Sequence, residues 1–381
     1  MMTEVLRFFL MVALLLVPLK PVLAENEIAG NTIVLGQSAP FSGSLAALGT
    51  DYRDGANLYF EQVNSQGGVA GRKIKLVSLD DGYVVEKTVA NTKKLIEEER
   101  AFALFNMLGT PNILAIMPMV SEARVPLFSM LTGAEPLRSP FNRYLFHMRA
   151  GYVEETDRLV EQAKVFGIKK IAVAYQDNAF GKAGLGAAER AISKHGMELV
   201  AATPINVDSK NVPDAVNQIS KAKPQGVVVV TAGKSSIDFI STYRQRDPTA
   251  WHFALSIVSS KELAKALGDQ SRGIVVSQVV PYPWRDDIRV VREYQDLMQK
   301  AGKNKESYSY AGLEGFISAK LFVEAIKRVG KDLTREKLIA VLESTGDVDA
   351  GGFRVKFTPE NRAGSAFVDT TMIGTNGKFI R

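Results

Sequence analysis

Thr32-Ile-Val-Leu-Gly-Gln-Ser38, then residues 51–63, then Lys73-Ile-Lys-Leu-Val-Ser-Leu79 is the stretch that decides the fold. The two outer segments are short, aliphatic and partly β-branched, and they read as strands. Between them Ala56, Tyr59, Phe60 and Val63 recur at helical spacing and lay one apolar stripe along a helix. The turn Gly67-Gly68-Val69-Ala70-Gly71 separates that helix from the second strand. A strand, a helix and a strand in this order join parallel neighbours in a sheet.

The same rhythm runs on. Helices are expected at 85–98 and 111–123, the latter with Pro111 in its first turn, and strands at 101–105 and 125–129. A loop rich in Pro and Arg, 136–143, interrupts it. The pattern then restarts with a helix at 152–166, a strand at 169–175 and a helix at 181–195. Further strands are expected at 199–205, 226–231, 251–255 and 274–279. Helices at 212–221, 237–246 and 262–267 separate or follow them, and helices at 288–300, 310–329 and 335–342 come later. Residues 351–381 carry Gly, Pro and Asn around period-two runs and read as a hairpin. Two successive β/α sets imply an α/β protein with two parallel sheets, each covered by helices. A small ligand then belongs in the cleft between the two lobes, at the carboxyl ends of the strands.

Composition fits this reading. The chain has 381 residues, a net charge of +6, 46% hydrophobic and 23% charged residues, and no cysteine. At the N-terminus Arg7 precedes the apolar run 8–17, and Val22-Leu23-Ala24 offers a peptidase site. The run is too short to span a bilayer, which takes about 20 residues, so residues 1–24 read as a cleaved secretory signal. The remaining 357 residues suffice for two domains. Without cysteine there are no disulfides, no thiolate metal sites and no lipid-bearing cysteine after the signal, so a soluble periplasmic protein is expected. No basic run interleaved with aromatics suggests nucleic-acid binding.

Catalytic signals are sparse. His147, His195 and His252 are the only histidines, none at metal-ligand spacing, and each reads as structural. No nucleophile elbow or phosphate-binding loop is present, and no enzyme, cofactor or metal is expected. Asp80-Asp81 reads as a solvated turn pair. The better signal is a set of small polar residues where strands give way to helices: Asn106-Met-Leu-Gly-Thr110, Leu131-Thr-Gly-Ala134 and Thr231-Ala-Gly233. Helix N-termini offer free N–H groups and a partial positive charge that suit a carboxylate, although Thr and Ser also cap their own helices.

Ile33-Val-Leu-Gly-Gln-Ser-Ala-Pro-Phe-Ser-Gly43, Gly49, Gly55, the 61–71 turn with the strand and Asp80-Asp81 after it, Leu108-Gly-Thr-Pro111, Thr132-Gly-Ala134 and Phe180-Gly181 together resemble the periplasmic branched-chain amino acid binding proteins, the substrate-binding components of ABC importers. The resemblance implies a type I periplasmic binding fold: two Rossmann-like lobes joined by three hinge crossings. It puts lobe 1 at 31–150 plus 282–351, and lobe 2 at 151–281 plus 352–381. It implies a monomer that closes on a small ligand and meets a membrane permease.

On the same ground Thr110 matches the hydroxyl that holds the ligand carboxylate, and Thr132, Gly133 and Ala134 match the loop that meets its carboxylate and amine. Phe180 matches the covering aromatic of lobe 2. Ala232 and Gly233 match the next lobe 2 loop, Tyr310 falls near an aromatic wall, and Tyr83 and Arg149 fall near the cleft and a hinge. Amino acid binders of this type place a carboxylate near Ser256-Ile257 for the ligand ammonium. Here none stands there, which leaves Asp81 or Glu314 for that role, or a ligand without the amine such as an aromatic acid or amide. A branched-chain amino acid is the default ligand. A sensor of the same fold acting on a receptor kinase is the alternative role.

Overall fold

The computed structural model describes residues 30–344 and 346–381; the expected signal at 1–24 lies outside the described residues. The first part of the chain runs β1 (Thr32–Ala39), α1 (Ala46–Ser65), β2 (Lys73–Asp80), α2 (Val85–Glu97), β3 (Ala103–Leu108), α3 (Thr110–Glu122), β4 (Leu127–Leu131) and β5 (Leu145–Phe146). These strands form one parallel sheet in the order β2-β1-β3-β4-β5. Both central strands, β3 and β4, are buried along their whole length, as a sheet covered on both faces requires.

The second part runs α4 (Tyr152–Val165), β6 (Lys170–Gln176), α5 (Ala179–Lys194), β7 (Glu198–Ile205), α6 (Val212–Lys221), β8 (Gly226–Val230), α7 (Lys234–Arg246), β9 (Trp251–Ala254), α8 (Ser260–Leu267) and β10 (Val275–Gln278). Then come α9 (Arg289–Lys300), α10 (Tyr310–Val329), α11 (Arg335–Ser344), β11 (Asp347–Asp349), β12 (Arg354–Lys356), β13 (Asp369–Ile373) and β14 (Phe379–Ile380). The second sheet has the order β14-β13-β10-β9-β8-β6-β7. It is parallel from β7 to β10, and β13 and β14 add an antiparallel edge. Its interior strand β8, Gly226-Val-Val-Val-Val230, is buried along its whole length.

The late helices return to the first sheet. α10 packs along α1, and the two come close because glycines meet there: a Cβ on Gly55 would lie 1.8 Å from the Gly312 carbonyl oxygen, and one on Gly315 would lie 2.0 Å from that of Tyr52. The chain therefore passes between sheets three times: after β5, after β10, and between β12 and β13. The last passage comes later than the expected 351/352 boundary. Phe353, Val355 and Phe357 stay in the core of the first lobe, with Phe357 packed edge-on against Phe128 and Phe146. The single C-terminal hairpin expected at 351–381 is instead two: β11–β12 on the first lobe and β13–β14 on the second.

In each lobe the strand order reverses between its first strand and the next crossover strand, β1/β3 in one and β6/β8 in the other. The carboxyl end at such a reversal leaves an open crevice. Asn106 (φ 51°) in β3 and Ser129 (φ 58°) in β4 both adopt left-handed backbone conformations. They fall in the same gap of the β3–β4 register, between Phe105↔Phe128 and Met107↔Met130, so the two strands kink side by side just before the crevice.

Candidate functional site

Residues from both lobes meet in the crevice. Thr110 opens α3 behind Gly109, and its hydroxyl bonds that of Thr132, after β4, at 2.6 Å. The Thr132 hydroxyl also meets the Tyr152 hydroxyl at 3.3 Å and accepts from the Ala134 N–H at 3.3 Å. The Gly133 carbonyl accepts from the Tyr152 N–H at 2.8 Å. Gly133 has no room for a side chain: a Cβ there would sit 2.7 Å from that nitrogen. From the second lobe Phe180, in the first turn of α5, packs edge-on against Tyr152 at 5.5 Å.

Thr110, Tyr83, Leu131, Phe180, Ala232 and Ile257 line one small chamber together with Tyr152. Tyr83 reaches across the lobes toward Asn178 and Gln176 from a left-handed backbone position, φ 67°. Burial raises the pKa of its phenol and that of Tyr152, so both stay protonated donors at neutral pH. Gly109 (φ 103°) is required beside them, because a Cβ would lie 2.6 Å from the Tyr83 ring and from Asn112 Oδ1.

A neighbouring chamber carries charge. Arg149, Ser256, Gln278, Trp284, Tyr310 and Glu314 are among its walls. Arg149 and Glu314 are buried, their side chains 1% and 4% exposed, with Arg149 Nε 3.2 Å from Glu314 Oε1. Arg149 Nη2 donates to Ser256 Oγ at 2.5 Å. Glu155 of α4, also buried, accepts from the Ser256 N–H at 2.8 Å and the Ser277 hydroxyl at 2.6 Å. The cluster thus holds one cation and two carboxylates. Burial pushes Glu314 up from 4.5 to about 7, against the pull of Arg149 and with the repulsion of Glu155. Apart from that ion pair, Arg149 Nη1, Glu155 Oε1 and Gln278 Nε2 have no hydrogen-bond partner among the described residues.

The two chambers are neighbours. Leu131 lines both, and an apolar seam of Leu45, Leu48 and Ile257 borders each of them. Gly233 lines that seam at the N-cap of α7 (φ 60°, ψ −133°), where a Cβ would lie 2.9 Å from the Ser44 carbonyl oxygen of the first lobe. The lobes therefore touch across the crevice.

The residues singled out in the sequence divide between these places. Thr110, Phe180, Ala232 and Tyr83 line the first chamber; Thr132, Gly133 and Ala134 stand directly behind it; Gly233 lines the seam; Arg149, Ser256 and Tyr310 line the charged chamber. Asp81 corrects the solvated reading. It is buried, and its carboxylate accepts from Ser38, Thr88 and the Tyr83 N–H, which leaves it little capacity for an ammonium. Its neighbour Asp80 is the turn acid, accepting from the N–H groups of Phe41, Ser42 and Gly82.

A carboxylate does stand at Ser256: Glu155 reaches it from a helix 101 residues away in sequence. Tyr152, Glu155, Gln278 and Trp284 were not singled out. Tyr152 and Glu155 sit in the first turn of the helix that follows a crossing, and that position is the one signal that would have drawn attention to them. Among the described residues no cluster of three or more His, Asp and Glu side chains is arranged to hold a metal.

A model of the periplasmic binding protein family matches residues 32–377. The chain belongs to this family. It is a family of ligand-binding proteins, and the fold is the type I periplasmic binding fold. The chain is 33% identical to a substrate-binding periplasmic protein from Ralstonia solanacearum, whose structure superposes with a TM-score of 0.85 over 91% of this chain and 99% of that one. A Leu/Ile/Val-binding protein homolog from Brucella abortus is 23% identical over 88% of this chain and 87% of its own length. A branched-chain amino acid ABC transporter protein from Thermus thermophilus with bound valine has a TM-score of 0.82, covering 93% of this chain and 96% of that one; at 19% identity it shows the fold alone.

Proposed function

We propose that this periplasmic binding protein is the soluble solute-receiving component of an ABC importer in the periplasm, holding a small carboxylate-bearing ligand between its lobes. The observation that carries this reading is the first chamber, where Thr110 of one lobe, backed by the Thr132 hydroxyl, faces Phe180 and Ala232 of the other. A site shared by two lobes gains its full set of contacts only when they close, so ligand binding and closure are one equilibrium. The three crossings are the hinge. The lobes comprise residues 30–150 plus the stretch from α9 to Phe357 on one side, and 151–281 plus 369–381 on the other. The closed face is what a permease would recognise.

The N-terminus of α3 and the Thr110 and Thr132 hydroxyls suit a carboxylate. The rest of the chamber is apolar or phenolic, and no acid lines it. An ammonium there would lack a partner, at considerable cost. The ligand is therefore a carboxylic acid with an apolar body. The names of the relatives favour a second reading, a branched-chain amino acid.

Thermal unfolding of refolded protein with 4-methylpentanoate or leucine separates the two. A ligand at a hundred times its dissociation constant adds about 2.7 kcal/mol. Stabilisation by 4-methylpentanoate with about tenfold weaker binding in Thr110→Ala supports the first reading. Stabilisation by leucine alone supports the second. No shift with any carboxylate overturns both.

A further inference from the structure

The charged chamber is a built site with unused valences. Arg149 Nε and Glu314 Oε1 face each other as an ion pair at 3.2 Å, while Arg149 Nη1 and Gln278 Nε2 beside them are buried donors with no partner among the described residues. All three side chains line the same chamber. Leaving such groups unpaired in a protein interior is costly, which points to something that completes them. The arrangement also constrains what that is. Arg149 already faces Glu314, and Glu155 carries a second negative charge behind Ser256. A ligand carboxylate here would meet two carboxylates, while a ligand ammonium would meet Arg149 and Lys261 on the same walls. A neutral group with an acceptor and a donor side by side satisfies both, its carbonyl oxygen taking an Arg149 N–H and its N–H2 donating to Glu314 Oε1. Trp284 and Tyr310, packed edge-on at 5.6 Å, supply an aromatic corner beside it.

We infer that the ligand is two-ended: its carboxylate lies at Thr110 and Thr132, its apolar middle runs past Leu131, and a primary carboxamide or similar neutral donor–acceptor group docks between Arg149 and Glu314. This inference rests on the proposed carboxylate site. It assigns Arg149 and Glu314 as specificity residues for the far end of the ligand.

The test is calorimetric titration of the refolded full chain with hexanoate, adipate and the monoamide of adipic acid, all sharing one chain length. The monoamide is expected to bind at least tenfold tighter than hexanoate and tighter than adipate, and to change the emission of Trp284; Trp251→Phe removes the other tryptophan. In Glu314→Gln the preference for the monoamide over hexanoate is expected to fall by about tenfold. Gln278→Leu, which removes a neighbouring amide without touching the ion pair, should narrow it as well and serves if the first variant does not fold. Equal binding of hexanoate and monoamide, or a preference unchanged in the variants, overturns the inference while leaving the carboxylate site standing. Tighter binding of adipate overturns the neutral-group assignment. Failure of all three probes to bind overturns the carboxylate site and the inference with it.

Discussion

The two ends of the crevice are held by different physics. At the Thr110 end hydroxyls satisfy one another and aromatic rings close the gap, so the contacts are short-ranged and uncharged. At the Arg149 end a cation and two carboxylates are buried together with several atoms left unpaired. The first end is insensitive to pH near neutrality and depends on shape. The second depends on charge balance, and removing one member exposes the others to an uncompensated interior.

The contrast can be broken most strongly at Arg149. Arg149→Ala leaves Glu314 and Glu155 buried without their cation and is expected to destabilise the protein by about 3–5 kcal/mol in urea unfolding. A loss below about 1 kcal/mol would mean that the cluster relaxes into water.

The next effect is a pH dependence confined to the charged end. An unfolded Glu314 titrates near 4.5 and the folded one near 7. Between these values the folded chain keeps a proton that the unfolded chain releases. The stabilisation is whole below the unfolded value and is lost as pH rises through about 7, amounting to up to about 3 kcal/mol. Urea midpoints of the wild type should fall relative to those of Glu314→Gln across that window; parallel profiles would remove the argument.

The smallest effect sharpens the uncharged end. Gly109→Ala must accommodate φ 103° and a Cβ 2.6 Å from the Tyr83 ring, at about 1–3 kcal/mol. It should leave the pH profile unchanged while weakening carboxylate binding.

Much of the fold was legible because its elements announce their period. Residues 212–221 and 310–329 are helices with the expected ends, the second bounded by Ser309, whose hydroxyl caps the Gly312 N–H, and by Gly330. The sequence pattern puts the strand at 101–105, with Asn106 among the small polar residues that follow it. The strand runs on to Leu108 with Asn106 held in a left-handed kink inside a buried sheet, a conformation that tertiary packing imposes and local pattern does not reveal. The C-terminal region was read as one hairpin because alternation says nothing about which sheet a strand joins. The site divided along the same line. Thr110, Thr132 and Gly133 follow strand ends and were visible as small polar residues at helix starts or loops. The Glu155–Ser256 contact spans 101 residues, so no spacing rule could bring it into view.

The late arrival of β13 has a consequence for how the chain acquires its shape. β10 pairs with β9 on one side and with β13 on the other, and about ninety residues separate β10 from β13. Until Asp369–Ile373 has been synthesised and has returned, β10 is an open edge with unpaired backbone groups, a template for pairing with other chains. In between, the chain must build α9, α10 and α11 onto the first lobe. Closing the second sheet is therefore a long-range step with a large loop to bring together. A nascent or truncated chain lacking its last dozen residues should complete its first lobe while leaving the second prone to aggregate through that edge.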